Sequence, residues 1–161
     1  MAIVFAGFSA LSGAASAQEL AATATTATDA VPLSVVERWV LDPTTVFDSN
    51  DIIIEDLHFI ARPVVVFADS PADPQYAEQL ELLLSRVEEL VIRDVIIITD
   101  TDPAARSPLR QELRPRGFAL VLVGKDGRVA LRKPAPWDVR ELTRSIDKMP
   151  LRQQEIRERT E

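Results

Sequence analysis

From Pro63 onward, apolar and polar positions fall into a regular succession. Val64-Val65-Val66-Phe67 is an unbroken β-branched and aromatic run, the pattern of a strand covered on both faces. Asp73 followed by Pro74 reads as a helix cap with proline at the first helical position. Ala77, Leu80, Leu84, Val87 and Val91 follow at spacings of three and four, which predicts one buried helical stripe. Val95 to Ile98 is a second fully apolar strand, and Ser107-Pro108 repeats the cap-plus-proline signal for a short helix through Leu113 that Pro115 closes. Phe118 to Val123 is a third buried strand. Gly124-Lys125-Asp126-Gly127 then supplies a tight hairpin turn, after which Val129 and Leu131 alternate with Arg128 and Arg132 in a half-exposed edge strand. Val139, Leu142, Ile146 and Met149 mark a last helix, which Pro150 kinks or stops. Leu151 to Glu161 reads as a charged tail in which opposite charges at three and four residues support a solvated helix.

The chain before Pro63 is patterned differently. Residues 2–11 form an apolar stretch, no charged side chain occurs before Gln18, and Ala15-Ser16-Ala17 has the small residues a signal peptidase requires. This predicts a signal peptide over 1–17, a periplasmic or secreted protein, and no membrane anchor after cleavage, since no later run approaches the roughly 20 apolar residues of a span. Residues 18–30 are Ala/Thr-rich without periodicity and read as a flexible linker. Residues 31–62 read as an N-terminal extension packing on the core. Within it Val35, Val36, Trp39 and Val40 suit either a short helix or a strand, and Ile52-Ile53-Ile54 is too short to decide.

Two parallel strands joined by a right-handed crossover, then an antiparallel hairpin and a terminal helix, predict a thioredoxin-like α/β domain over 63–149. It would be three-layered, α/β/α, with a mixed sheet and a βαβαββα core, followed by the tail over 150–161. A flavodoxin-like open sheet would need more βα units than the chain supplies.

The stretch from Val64 to Arg152 carries a resemblance. A VVVFA strand, an Arg93-Asp94 pair before the second strand, GFALVLVGKDG at 117–127 and Ile146-Asp147-Lys148-Met149-Pro150-Leu151-Arg152-Gln153 resemble a bacterial domain family of unknown function. Relatives of that family include domains of vertebrate secreted sushi-repeat and extracellular-matrix proteins, and the family is similar to peroxiredoxins and thioredoxins. The resemblance implies an exported thioredoxin-like domain with no assigned reaction, and marks Gly124, Lys125, Asp126 and Gly127, with Met149, Pro150 and Arg152, as its motif residues. Where thioredoxins carry reactive cysteines after the first core strand, this chain has Asp69-Ser70-Pro71-Ala72-Asp73. The proline they place just before the third core strand is displaced here to Pro115.

Composition narrows the chemistry further. The 161 residues contain no cysteine, which excludes thiol oxidoreductase and peroxidase chemistry, thiolate metal sites and disulfides. One histidine, His58, cannot build a multi-histidine metal centre, and the three glycines after residue 17 form neither a P-loop nor a GxGxxG turn. A net charge of −7 and scattered aromatics argue against nucleic acid.

In the expected topology Asp69 and Asp73 follow the first strand, Asp100 and Asp102 the second, and Arg114 and Arg116 precede the third, antiparallel one. All six should gather at one sheet edge, as a cluster able to hold a divalent cation through oxygen ligands or a charged ligand by bidentate pairing. Asp73 as a cap and Asp102 before Pro103 also have ordinary structural readings. The first reading is therefore a non-catalytic binding module for a protein partner or small charged ligand, without a cofactor. The second is an enzyme or metal-binding protein using that Asp/Arg edge. Residues 1–105 hold 17 acidic and 4 basic side chains, and residues 106–161 hold 8 and 14. That polarity suits a partner, a weak homo-oligomer, or internal pairing within one sheet.

Overall fold

The computed structural model describes residues 32–160; the expected signal peptide over 1–17 and linker over 18–30 lie outside the described residues. Helix α1 (Val35–Leu41) opens with a reciprocal cap. The Ser34 hydroxyl accepts from Glu37 N–H at 3.2 Å, and the Glu37 carboxylate accepts from Ser34 N–H at 2.8 Å. Strand β1 (Val46–Asp48) and two 3₁₀ turns, Ser49–Asp51 and Ile54–Leu57, lead into β2 (Arg62–Phe67). Then come α2 (Pro74–Ser85), α3 (Val87–Val91), β3 (Val95–Asp100), a 3₁₀ turn at Pro103–Ala105, and α4 (Pro108–Leu113). The chain continues through β4 (Ala119–Val123), β5 (Val129–Lys133), α5 (Val139–Asp147) and α6 (Pro150–Glu158).

The five strands lie in the order β1-β3-β2-β4-β5. β1, β3 and β2 are parallel, while β4 runs antiparallel to β2 and β5 antiparallel to β4. A parallel set joined by crossovers, closed on one side by an antiparallel hairpin and covered by helices on both faces, is the thioredoxin-like arrangement expected from the hydrophobic pattern. Strand pleating sends alternate residues to opposite layers. Val65, Phe67, Ile96, Ile98 and Val121 pack with Trp39, Phe47, Leu57, Leu109 and Leu113 on one face. Val64, Val66, Ile97, Leu120 and Leu122 pack with Leu83, Leu90, Leu142 and Ile146 on the other. Among the described residues no helix is long and apolar enough to cross a membrane.

The stretch left open before Pro63 is settled, and the expected stripe of α2 is corrected. Ile52-Ile53-Ile54 forms no strand: Ile52 and Ile54 are buried at the 3₁₀ turns and Ile53 is exposed, while the added strand is Val46–Asp48, paired to β3. The helix after Asp73 breaks at Arg86, and its buried positions are Gln79, Leu83 and Leu90, whereas Ala77 and Leu84 are exposed. Gln79 explains the misplaced stripe. Its amide donates to Trp137 O at 3.2 Å and accepts from Trp137 N–H at 2.7 Å, so a polar side chain occupies a core position with its hydrogen bonds met. Residues 150–158 form the largely exposed, charged helix expected there, with Arg152 buried and Glu155 half-buried.

The GKDG hairpin is docked on the loop before β2. Phe59 N–H donates to Lys125 O at 2.8 Å, and Gly127 has φ +76°, with the space for a Cβ already taken by the His58 ring. Gly127→Ala is expected to lower stability in urea unfolding by about 2 kcal/mol, combining left-handed backbone strain with the overlap. His58→Ala in the same chain should restore only the steric part, so a double variant as unstable as the single one would contradict this account.

Candidate functional site

The carboxyl edge of the parallel strands assembles differently from the expected cluster. Asp100, 3% exposed at the end of β3, accepts hydrogen bonds from the Ser49 hydroxyl at 2.8 Å, from the Ser107 hydroxyl, and from Arg110 Nε at 2.9 Å. Burial pulls the Asp100 carboxyl upward, but these donors and the Arg110 charge outweigh it and hold it below the usual carboxylate range. Arg110 also donates to Ala68 O at 2.7 Å and to Asp100 O at 3.1 Å, tying together the ends of β2 and β3. Its Nη1 lies 3.6 Å from the exposed Asp69 carboxylate.

The other predicted acids are elsewhere engaged. Asp73 caps α2 through Gln75 N–H at 2.8 Å, and Asp102 caps the Pro103–Ala105 turn through Ala104 N–H at 2.9 Å. Among the described residues no group of three His, Cys, Asp or Glu side chains could hold a metal ion. Asp73 and Asp102 each spend one carboxylate oxygen on a helix cap and Asp100 is held by Arg110 and two serines, so the four acids do not meet as one oxygen-ligand cluster.

Arg114 and Arg116 do not join the carboxylates either. Together with Arg132 and Lys133 from β5 they line a groove of about 380 Å³, whose other walls are Phe118, Ala119 and Pro134. No carboxylate lines it, and none of the four cations forms an ion pair among the described residues. Lys133 Nζ instead sits 3.6 Å from the centre of the Trp137 ring, a cation–π contact that holds the ammonium over an aromatic face. Sequence reasoning missed Arg132 and Lys133 because only the β4–β5 register, Leu120 opposite Lys133 and Val121 opposite Arg132, carries them toward the start of β4.

The motif residues meet at the opposite sheet edge. Arg62, fully buried at the start of β2, donates to Arg93 O and to Glu155 Oε1, each at 2.8 Å. Lys125 Nζ bridges Asp94 and Glu155 at 2.9 Å. Arg152 Nη1 reaches Glu155 Oε2 at 3.2 Å. Arg93 grips Asp147 with two parallel hydrogen bonds of 2.9 and 2.8 Å, which raises the Arg93 pKa and lowers that of Asp147. Burial raises the Glu155 carboxyl pKa, but hydrogen bonds from Arg62 and Lys125 and the surrounding charge prevail and bring it down to about 2.

The geometry defines a thioredoxin-like domain whose sheet edges carry charged clamps in place of thiols. The family model described as Domain of unknown function (DUF4174) matches residues 54–155, more than half of the sequence, and the chain belongs to that family. No curated protein matches it. Among solved structures it is similar to a Plasmodium yoelii thioredoxin peroxidase I, at 14% identity over 60% of this chain and 76% of that one, with a TM-score of 0.47. It is also similar to a chloroplastic thioredoxin z, at 18% identity over 65% and 96%, TM-score 0.48. A yeast mitochondrial 1-Cys peroxiredoxin gives 16% identity over 66% and 97%, TM-score 0.48. The fold class stands on the strand order and directions described above.

The folded Glu155 carboxyl titrates below its ordinary 4.5, so on acidification the unfolded chain takes up the proton first. Its stabilisation is complete above pH 4.5 and is lost as pH falls toward 2, on the order of 3 kcal/mol. Glu155→Gln should cost a similar amount at pH 7 and flatten that part of the stability–pH profile. An unchanged acid limb in the variant would show that other groups carry it.

Proposed function

We propose that this protein is an exported, non-catalytic binding module whose basic groove at the carboxyl edge takes an acidic peptide segment of a partner protein. The observation that carries this reading is the convergence of Arg114, Arg116, Arg132 and Lys133 on one groove without a carboxylate. Four like charges gathered this way repel one another unless an anion is present. The apolar strip of Phe118, Ala119 and Pro134 gives a bound chain something to bury between its charges. Absence of cysteine and the full engagement of Asp100 support binding rather than catalysis at this edge. The uncharged, apolar opening of the sequence and Ala15-Ser16-Ala17 support export.

Fluorescence anisotropy of a labelled hexaglutamate peptide tests the groove. Binding at low ionic strength should weaken by about tenfold as the Debye length shrinks from roughly 30 to 8 Å. The Arg114→Glu/Arg132→Glu double variant should reduce it by at least about tenfold without changing the unfolding midpoint appreciably. Binding that survives the double charge reversal, or none even at low salt, would remove this reading.

A further inference from the structure

A second groove, of about 460 Å³, lies at the opposite sheet edge between Phe59, the 124–128 hairpin and the start of α6. Its apolar walls are Phe59, Ala130, Met149, Pro150 and Leu151, and its charged lining comes from Arg62, Lys125 and Arg128. Asp126 also lines it, but its carboxylate accepts from Arg128 N–H at 3.2 Å and lies 3.9 Å from Arg128 Nε.

Three features agree on what this groove lacks. Helix α6 has nine residues, proline at its first position, and no side chain capping its start. The amides of Leu151 and Arg152 therefore have no intrahelical acceptor, and the helix dipole favours an anion beside them. Arg62, fully buried and part of the groove lining, has an Nε–H without a partner; Arg152 in the first turn of α6 does not line the groove, and its Nε lies 3.7 Å from Asp147. Finally, among the described residues Arg62, Arg93, Lys125 and Arg152 pair with Asp94, Asp147 and Glu155, with Glu89 also acting on Arg93 and Arg159 lying 4.0 Å from Asp94. These pairings leave the Arg62 Nε–H and the first amides of α6 without an acceptor.

We infer that this groove binds a ligand carrying one carboxylate on an apolar tail, with the carboxylate at the start of α6 beside Lys125 and the tail between Phe59 and Met149. Phe59 is shaped for the wall: it is 72% exposed with φ 60°, a left-handed conformation that a bulky side chain adopts at a cost. Its N–H bond to Lys125 O keeps the ring at the groove mouth. The volume lies in the range of small-molecule sites, roughly 300–1,000 Å³. This site is separate from the basic groove and does not depend on it.

Amide chemical shifts of the full chain, followed in titrations with hexanoate and with N-acetyl-Ala-Ala-Leu, provide the test. Both probes should shift Lys125, Leu151 and Arg152, with Kd on the order of 1 mM for such small ligands. The amidated peptide should bind at least about tenfold more weakly, because it lacks the charge. Tighter binding by the peptide would assign the carboxylate to a chain terminus, and tighter binding by hexanoate to a free acid; either supports the inference. Pro150→Glu, at an exposed first-turn position, places a carboxylate where the ligand's should sit and is expected to weaken both probes about tenfold. Arg128→Glu, at a side chain 88% exposed, should weaken them in the same direction should the first variant unfold. Equal binding of the amide, shifts produced as strongly by inorganic phosphate, or no shifts at these three residues would each overturn the inference. Arg132→Glu, which tests the other groove, should leave these titrations unchanged.

Discussion

A fully buried guanidinium at the entrance to the central strand is the constraint around which this fold is arranged. All six residues of β2 are buried, so the strand has no wet face, and Arg62 at its first position is fully buried behind the wall of a groove. Burying one unpaired charge costs several kcal/mol even after relaxation. The cost is met by Arg93 O, Glu155 and, at 3.7 Å, Asp94. Because Glu155 belongs to α6, the last helix is bound to the first core strand. Because Lys125 also reaches Glu155, the GKDG hairpin is held at the same point. One residue thereby fixes the relative positions of three segments separated by up to 93 residues in the chain.

The far end of β2 follows the same logic with a different partner. Arg110 donates to the carbonyls of Ala68 and Asp100 and to the Asp100 carboxylate, so one side chain ties the ends of two parallel strands, beside the Ala68 N–H bond to Asp100 O at 2.9 Å. This clamp occupies the edge at which the sequence lacks cysteine. Ser49, carried by the extension before β2, completes it. The extension is therefore part of the core, through Trp39, Phe47 and Leu57, and part of the edge. With Asp100 saturated, the chemistry left open at that end moves sideways to the arginines and lysine beside β4 and β5.

Hydrophobic pattern made the sheet legible because β2, β3 and β4 are runs of β-branched and aliphatic residues that nothing but a doubly covered strand accommodates. Asp73-Pro74 and Ser107-Pro108 likewise announced their helices, since capping is local chemistry. What pattern could not show was polar burial. Gln79 breaks the expected stripe of α2, and Arg152 and Glu155 lie in a segment whose composition is that of a solvated helix. Gln79 is buried against a partner 58 residues away, half-buried Glu155 meets Arg62 at a distance of 93 residues, and Arg152 is covered beside that pair, and such pairing has no local signature. The start of α1 was readable in principle, because Ser34 and Glu37 have the spacing of a capping box. Of the candidate site, Asp100 is buried as the middle of a clamp, while Arg114 and Arg116 became a groove only through the register of the hairpin.

The charge polarity of the sequence acquires its meaning from these placements. An acidic first part and a basic second part pair across the sheet wherever the fold brings them together, as in Arg110 with Asp69 and Asp100 and Lys125 with Asp94. Exceptions run the other way, with Arg62 and Arg93 of the first part taking Glu155 and Asp147 of the second. Internal pairing therefore accounts for the buried charges at both ends of the sheet. It does not account for Arg114, Arg116, Arg132 and Lys133, which line one groove and form no ion pair among the described residues. A surplus dispersed over the surface would be screened and inert. Concentrated beside an apolar strip on a sheet edge, it forms a surface with a defined shape and sign, and the proposed binding role rests on that surface.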